Sequence, residues 1–323
     1  MTLERDHLPD LVAALAALRT QCEITGDPHR ARAYGRVHAS LRSHVGPVRS
    51  VEDVAGLPGV GPSIRATLAQ LIEKGTDGVV QPGLQAIQEL QTVTSFGPMR
   101  AQGLAREGVT GVADLRDRVG RGQIALNAKE ALGLRHWEDF RERIPRGEMD
   151  LIRAALEDAA RAVAPTARLE IMGSYRRGAA SSGDIDAAVI ASTVSAASAA
   201  MRAIVARLVA SGIGLRDHFG FGAKKYLGIV RLDPTSRARR LDLMAVPEHE
   251  APFALLYFTG SDLFNVRVRG VAKQRGLSMN EHGFKSETDA AHEALADSPP
   301  FLTEADVLAF LGLPNVEPVD RIE

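Results

Sequence analysis

The sequence has one cysteine, no long apolar run and no lysine before Lys74. Because Cys22 is the single cysteine of 323 residues, no disulfide can form within the chain, and the composition fits a reducing compartment. No apolar run approaches the length of a membrane span, and the N-terminus lacks a signal-peptide pattern. We therefore expect a soluble, intracellular, monomeric protein with no membrane partner. Nucleus, cytoplasm, viral factory and virion are not distinguished.

Net charge is also small, but the charged residues are unevenly distributed. The formal total is −1 at pH 7, and acidic residues dominate from 287 to 320. Two arginine clusters stand against this: Arg30, Arg32, Arg36, Arg42 and Arg49, then Arg135, Arg141, Arg143 and Arg146. Segregated patches are compatible with a DNA-binding face, although each cluster alone is typical of a solvated helix surface.

The stretch from 173 to 190 combines glycines, hydroxyls, arginines and two carboxylates. Asp184 and Asp186 lie at the start of an apolar run, which predicts a buried strand beginning at Asp184. Alternate side chains of a strand share a face, so both carboxylates are expected to converge, and a divalent cation would relieve their repulsion. The glycines and serines before them offer amides and hydroxyls to phosphate oxygens. The pattern predicts magnesium-dependent nucleotidyl transfer. A surface loop followed by solvated aspartates is the alternative.

A tight hairpin between two helices is predicted at Leu57-Pro-Gly-Val-Gly61, because prolines and glycines exclude a continuous helix there. Gly59 and Gly61 let the backbone approach a phosphate, and the amides of the next helix are free. This is the helix-hairpin-helix pattern, which holds the DNA backbone without reading its sequence. An ordinary glycine-rich turn is the alternative.

A second, weaker copy of this hairpin is predicted at Val93–Pro98, with helical residues after it. Ser95 stands where a first hairpin glycine is expected. Two hairpins about forty residues apart could hold two phosphate backbones, such as the two sides of a gap or nick.

From Arg146 onward the pattern becomes mixed α/β, with a helix predicted over 150–163 and a strand over 240–246. Asp242 interrupts this apolar strand. Beside Asp184 and Asp186 it would complete a three-aspartate metal site, and Arg240 shares its face and could tune its charge. An exposed strand residue is the alternative for Asp242 considered alone.

The fold class predicted from these patterns is α+β and multidomain. Helical segments with the two hairpins come first, and the mixed α/β part follows.

Five segments in the same order make the chain resemble a family X DNA polymerase of the DNA polymerase beta-like kind. They are residues 57–61, 143–149, 173–186, 239–242 and 256–265. The resemblance implies that N-terminal helical helix-hairpin-helix domains precede a nucleotidyltransferase palm with a mixed β-sheet and a small C-terminal α/β subdomain. The domains it implies are 1–80 (helical, with the first hairpin), 81–145 (DNA-binding, with the second hairpin), 146–247 (catalytic palm) and 248–323 (nucleotide and nascent base-pair binding). The resemblance implies two-metal nucleotidyl transfer by Asp184, Asp186 and Asp242, with two Mg²⁺ ions for which Mn²⁺ can substitute, and with Arg240 beside them.

The resemblance also implies the remaining site residues. The residues implied to bind the deoxynucleoside triphosphate are Arg146, Ser174, Arg177, Ser182, Gly183, Tyr257, Phe258, Gly260, Asp262 and Asn265. Those implied to contact DNA are Gly59, Val60, Gly61, Gly97, Lys225, Tyr226, Arg269, Asn280 and Glu281. Backbone carbonyls around Leu57, Val60, Val93 and Phe96 would hold Na⁺ or K⁺, and the Gly260–Ser261 peptide would be cis.

The chain departs from the family at the position of a lysine nucleophile that removes a 5′-deoxyribose phosphate. Thr67 occupies this position, and Arg30 and Ser63 stand where lysines would hold the 5′-phosphate. Because an arginine keeps its proton, it cannot form the imine. We therefore predict that the lyase activity is absent, with Lys74 or the N-terminal amine as weak substitutes.

The function predicted is template-directed, gap-filling DNA repair synthesis from deoxynucleoside triphosphates on gapped or nicked double-stranded DNA. A terminal transferase or another nucleotidyltransferase is the first alternative, which the short connection 233–239 disfavours. A non-catalytic scaffold that binds DNA ends is the second alternative, and it is disfavoured because all three aspartates are present.

Overall fold

A computed structural model describes residues 6–75 and 83–321, which form two compact units, Met1–Leu134 and Arg135–Glu323. The predicted boundary between residues 80 and 81 lies outside the described residues, and the four-domain division stays a prediction. Among the described residues, no helix is long and apolar enough to span a membrane.

The first unit is helical. Its helices are α1 (Leu8–Thr25), α2 (Pro28–Arg42), α3 (Pro62–Lys74), α4 (Leu84–Gln91), α5 (Pro98–Arg106), α6 (Val112–Gly120) and α7 (Ala128–Arg135). A core of leucine and valine side chains joins α1, α2 and α3 around Leu15, Leu41 and Leu68. The side-chain amides of Gln91 and Gln102 donate to carbonyls at the end of α1, so α4 and α5 are fastened to it.

The second unit is built on a mixed sheet. Its elements begin with α8 (Trp137–Arg141), β1 (Ile144–Pro145), α9 (Arg146–Val163), β2 (Arg168–Ile171), α10 (Gly173–Arg176), β3 (Ser181–Ser182), β4 (Ile185–Ala191) and α11 (Val194–Ala210). They continue with β5 (Gly220–Phe221), β6 (Lys225–Val230), β7 (Arg239–Pro247), α12 (Ala251–Thr259), α13 (Asp262–Gln274), β8 (Leu277–Asn280), β9 (Gly283–Ser286), α14 (Asp289–Ala296) and α15 (Glu304–Phe310).

The five-stranded sheet has the order β2-β4-β7-β6-β5, and its β4–β7 pair is parallel. One face packs against α9 and α11 through Ile185, Val189 and Leu243. The other face packs against α12 through Ala188 and Met244. Side-chain alternation therefore directs Asp186 and Asp242 to the α12 face of the sheet.

This architecture confirms the predicted fold class, with local differences. The strand predicted from Asp184 begins at Ile185, and the helix predicted from Asp150 begins at Arg146. The sequence analysis missed α12. Its residues from Ala251 to Leu256 are all buried, so this helix shows no polar face from which a helical period could be read.

Candidate active site and DNA-binding motifs

Three carboxylates come together where β4 and β7 begin. Asp186 and Asp242 are directly opposite each other in the parallel register, and Asp184 precedes β4 by one residue. Parallel neighbours in register place their side chains on the same face. The sheet thus brings together two aspartates that are 56 residues apart in sequence, and the local turn adds the third.

Two positively charged side chains pair with the outer carboxylates of this cluster. The guanidinium of Arg240 donates to Asp184 Oδ2, and Lys225 Nζ lies 3.3 Å from Asp242 Oδ2. Arg240 thus contacts Asp184, whereas the sequence analysis expected it to act on Asp242. Its positive charge lies close enough to Asp242 to oppose the rise of that pKa.

Asp186 is the carboxyl group of the three whose ionised form is least favoured. Burial, followed by the nearby charges of Asp184 and Asp242, raises the pKa of Asp186 to about 7. Burial also raises the pKa of Asp242, although Lys225 opposes the shift. A cation among the three carboxylates would offset both effects, because an opposite charge favours the ionised form.

The donor set fits a hard divalent cation, which takes oxygen ligands. No group of three His, Cys, Asp or Glu side chains within 6–75 and 83–321 is already arranged as a metal site. Asp184 is instead paired with the Arg240 guanidinium. The three aspartates as metal ligands stay a prediction.

The loop after β2 supplies the phosphate-binding pattern. Gly173 opens α10 with φ 61°, a conformation that favours glycine, and a Cβ there would lie 3.1 Å from Asp186 Oδ2, a tight contact. Ser174 Oγ donates to Ser182 Oγ at 3.0 Å, which joins the two predicted phosphate-binding segments. Ser182 is buried, whereas Gly183 beside it is exposed.

Two arginines near this loop point to different places. Arg146 Nη1 donates to the carbonyls of Tyr175 and Ala179 at 3.1 and 3.3 Å, and its guanidinium covers the Tyr175 ring. Arg143 instead donates to Ser181 Oγ at 2.7 Å and to Ser181 O at 2.6 Å. The sequence pattern indicated Arg146 and gave no signal for Arg143. The pairing of Ile144 with Ser182 is what puts Arg143 beside the phosphate loop.

The junction of α12 and α13 faces the same region of the second unit. The Gly260–Ser261 peptide is cis, as the resemblance implied. Arg177 Nη1 donates to Thr259 O at 2.5 Å, which links the phosphate loop to the end of α12. A Cβ at Gly260 would lie 3.3 Å from this guanidinium.

The predicted sugar and base contacts lie on both sides of this junction. The rings of Tyr257 and Phe258 are half-buried and meet edge to face at 5.1 Å. Asn265 Nδ2 donates to Tyr257 O at 2.7 Å, so the first turns of α13 hold the end of α12. Asp262 is exposed at the start of α13. These contacts fix the pocket walls, and the roles of the four residues stay predictions.

A buried ion network connects the phosphate loop to the C-terminal part. Arg176 donates twice to Glu304, at 2.9 and 2.5 Å, and once to Thr259 Oγ1 at 2.8 Å. Arg321 donates to Glu304 Oε1 at 2.7 Å. Glu304 therefore ties α15 to the loop that carries Arg177. No local sequence pattern indicates this network, because its hydrogen-bonded partners lie up to 128 residues apart.

The predicted DNA contacts of the second unit divide into two groups. Lys225, Arg269 and Asn280 are exposed and Glu281 is half-buried, so their side chains reach the surface. Tyr226 is only 2% exposed, and its ring belongs to the core under α11. Alternation along β6 turns this ring inward, so it is not presented at the surface, and contact of Tyr226 with DNA stays a prediction.

The two hairpins of the first unit share one backbone geometry. In the first, Val60 N donates to Leu57 O at 3.1 Å, Gly59 has φ 91°, and Gly61 precedes α3. In the second, Phe96 N donates to Val93 O at 3.0 Å, Ser95 has φ 78°, and Gly97 precedes α5.

Ser95 is the one non-glycine residue with positive φ among the described residues. It keeps the conformation that a glycine would adopt more easily. The second hairpin therefore has the full turn despite its sequence. Contacts of Gly59, Val60, Gly61 and Gly97 with DNA stay predictions, as does Na⁺ or K⁺ at the hairpin carbonyls.

The position of the missing lysine is occupied by a hydroxyl that is already engaged. Thr67 Oγ1 donates to Ser63 O at 3.2 Å on α3. Arg30 is exposed and lies near Asp27, with Nε 3.8 Å from its carboxylate. Lys74 is exposed in the last turn of α3.

Comparisons with known proteins cover most of the chain. Residues 143–248 match the DNA polymerase beta palm, residues 254–322 the DNA polymerase beta thumb, and residues 6–77 a helix-hairpin-helix domain. DNA polymerase lambda of Rattus norvegicus is 30% identical over 319 residues, covering 95% of this chain and 55% of that protein. DNA polymerase lambda of Arabidopsis thaliana is 25% identical, covering 92% and 58%.

The human DNA-directed DNA/RNA polymerase mu is 25% identical over 98% of this chain and 69% of its own length. The chain thus spans little more than half the length of the two lambda relatives. Along the chain the helix-hairpin-helix match comes first, the palm match second and the thumb match third, and each coincides with the helices or the sheet described above. The chain therefore belongs to family X of the DNA polymerases, the DNA polymerase beta-like family.

Proposed function

We propose that this protein is a template-directed DNA polymerase that fills short gaps, joining a deoxynucleoside triphosphate to a primer 3′-hydroxyl. The observation that carries the proposal is the in-register pair of Asp186 and Asp242 with Asp184 beside it. Three carboxylates with raised pKa values at two of them form a site that favours bound cations.

Asp184, Asp186 and Asp242 would hold two magnesium ions, for which manganese can substitute. Such ions supply positive charge that lowers the pKa of an attacking hydroxyl and neutralises a leaving pyrophosphate. Arg240 and Lys225 already lie at the outer carboxylates and keep positive charge at this edge of the sheet.

Different residues around the carboxylates would bind different parts of the nucleotide. Ser174, Ser182 and Gly183 would bind the triphosphate, with Arg177, Arg146 and Arg143 as the available guanidinium groups. Arg143 lies directly against the Ser181–Ser182 strand, so it is the arginine we add to the predicted set. A guanidinium can donate two parallel hydrogen bonds to phosphate oxygens.

Tyr257 and Phe258 would line the sugar, with Gly260 at the end of their helix. Asp262 and Asn265 would lie near the base, and Arg269, Asn280 and Glu281 near the template strand. The hydrogen bond from Asn265 to Tyr257 O fixes the aromatic pair relative to the base side. A rigid pocket of this kind selects by shape between deoxyribose and ribose.

Gapped or nicked double-stranded DNA is the substrate we propose. The two hairpins carry the same backbone turn, each followed at once by a helix N-terminus that offers free amides to phosphates. Two equivalent backbone-binding motifs within one helical unit can bind two separate segments of a DNA strand. The hairpins would each bind Na⁺ or K⁺ through backbone carbonyls.

Template dependence is favoured over terminal transfer by the connection between β6 and β7. Asp233 accepts hydrogen bonds from Thr235 N at 2.7 Å and from Ser236 N at 3.0 Å, which closes the connection into a tight turn. A loop closed on itself in this way leaves no long segment to stand in for a template.

We further propose that the 5′-deoxyribose phosphate lyase is missing. Thr67 cannot form an imine, and its hydroxyl is bonded to Ser63 O. Arg30 would still contribute to binding a 5′-phosphate.

Primer extension on a one-nucleotide gap with a 5′-phosphate tests both proposals when each triphosphate is supplied separately with magnesium. We expect addition of the templated nucleotide alone. A parallel 5′-deoxyribose phosphate substrate with borohydride should trap no adduct, and Thr67→Lys should restore one. Untemplated addition would indicate a terminal transferase. DNA binding without any addition would indicate a scaffold. An adduct that the wild type forms and Lys74→Ala does not form would indicate that Lys74 acts as a substitute lyase nucleophile.

A further inference from the structure

The sheet edge formed by β5 and β6 carries an exposed aromatic and basic surface on the α11 side. We call it the Phe221 platform, and it consists of Arg202, Arg216, His218 and Phe221. Phe221 is 38% exposed, an unusual state for a phenylalanine on a sheet. None of these residues belongs to the carboxylate site.

The platform is ordered by ring contacts. Phe221 meets the buried Tyr226 ring at 5.0 Å and 67°, and His218 at 6.0 Å and 81°, both edge to face. The guanidinium of Arg202, from α11, lies over the Phe221 ring at 5.3 Å from its centre. These contacts fix the orientation of the Phe221 ring, which stays 38% exposed.

A groove of about 580 Å³ runs from this platform along α11. Its floor is apolar, with Val205, Ala206 and Val209 from the helix and Leu215 from the loop. Its rim carries the cations Arg202 and Arg216. Asp217 is the acidic residue of the neighbouring loop, and it is paired with Arg135 at 2.9 Å.

We propose that the Phe221 platform binds an unpaired stretch of single-stranded DNA. An apolar floor with flat aromatic and guanidinium surfaces suits unstacked bases, and the cationic rim suits the phosphates that join them. A protein partner would need a matching acidic and aromatic segment.

The position of the platform favours a nucleic acid. Lys224 ends the turn that follows β5, and Lys225 begins β6 with its Nζ 3.3 Å from Asp242 Oδ2, on the α12 face of the sheet. A strand that leaves the carboxylate region and crosses the β5 edge of the sheet therefore meets the platform on the α11 face. The platform extends the DNA-binding surface beyond the gapped duplex of the proposed function.

Binding is measured with the full chain and a labelled oligo(dT), in EDTA and without nucleotide, so that polymerase activity plays no part. Phe221→Leu keeps an apolar side chain but removes the ring, and Arg202→Gln removes the guanidinium. Phe221→Leu should weaken oligo(dT) binding about tenfold, since stacking of one base on a protein aromatic is worth that much, and Arg202→Gln should also weaken it, because it removes a cation from the rim. Arg207→Gln, exposed on the same helix, should leave binding unchanged.

Crosslinking locates the contact. An oligonucleotide carrying 5-iododeoxyuridine should attach to the tryptic peptide 217–224, which lies between Arg216 and Lys224 and contains His218 and Phe221. Thermal melting of each variant checks its folding. Full affinity in Phe221→Leu, or crosslinks confined to other peptides, overturns the proposal. Trypsin cleavage after Arg216 and Lys224 is a further test. If polyglutamate protects these two sites and oligo(dT) does not, the platform binds an acidic protein, and the proposal is overturned.

Discussion

Asp186 on β4 and Asp242 on β7 are direct partners in the register of two parallel strands. This pairing places two carboxylates side by side on the α12 face of the sheet. Glycine at 173 leaves the room that the Asp186 carboxylate needs. The crowding of like charges is a cost in the metal-free protein, and it is the physical reason to expect bound cations there.

The first prediction concerns this charge crowding. In EDTA, Asp186→Asn should raise the melting temperature by a few degrees, because it removes one of three crowded carboxylates from a partly buried site. Magnesium should raise the melting temperature of the wild type and have little effect on the variant. The exposed Asp297→Asn is the control. A variant that melts lower in EDTA and responds fully to magnesium would contradict the charge argument.

The second prediction separates two arginines. Arg143→Gln should raise the KM for the triphosphate about tenfold or more, since a charged hydrogen bond is worth roughly 1.5–3 kcal/mol. Arg146→Gln should act less on KM, because the Arg146 guanidinium lies over the Tyr175 ring, whereas Arg143 lies against Ser181 beside the predicted triphosphate-binding residues Ser182 and Gly183. Steady-state kinetics on gapped DNA measure both. The reverse order would return the phosphate role to Arg146.

The third prediction concerns the left-handed serine of the second hairpin. Ser95→Gly should stabilise the protein by about 0.5–1 kcal/mol, because a non-glycine residue in this conformation costs about 1–2 kcal/mol and glycine loses part of that gain in chain entropy. Urea unfolding measures the change. Ser43→Gly, at φ −95°, should not stabilise. Equal effects of both changes would show that φ at Ser95 carries no cost.

The fourth prediction is a pH dependence at Glu304. Burial alone would raise the pKa of Glu304, but hydrogen bonds from Arg176 and Arg321 outweigh it and lower the pKa below its usual value. A carboxyl whose pKa is lower in the folded state stabilises the fold above its unfolded pKa, about 4.3, and loses this stabilisation as pH falls through the folded pKa.

Glu304→Gln should therefore cost on the order of 3 kcal/mol at pH 7, and this cost should shrink as the pH falls through the folded pKa of Glu304, which lies below its usual value. Urea unfolding of the variant and the wild type across this range measures the difference, with the exposed Glu293→Gln as a control. A difference that does not change with pH would mean that Glu304 contributes packing alone.

The carboxylate site and the first hairpin could be predicted because their signals are local. Asp184 and Asp186 share one short segment with the phosphate loop. Asp242 was recognisable as a charge inside an apolar strand. The glycines at 59 and 61 predict a turn without any tertiary information.

The remaining features depend on tertiary register, which sequence patterns do not carry. Arg143 reaches the phosphate loop through the pairing of β1 with β3. Glu304 meets Arg176 only because α15 packs on α12. Ser95 kept the left-handed turn against its propensity, since the surrounding helices fix the chain there. Tyr226 was assigned to DNA although alternation along β6 points it into the core.

The most direct test of the account is single-turnover filling of a one-nucleotide gap by the wild type and by Asp242→Asn, with DNA affinity measured in parallel. The account predicts templated addition by the wild type and a loss of more than about 100-fold in the variant, since even outer partners of metal ligands cost 10–100-fold. DNA affinity should stay within twofold. Synthesis that survives in Asp242→Asn at the wild-type rate would contradict the three-carboxylate mechanism.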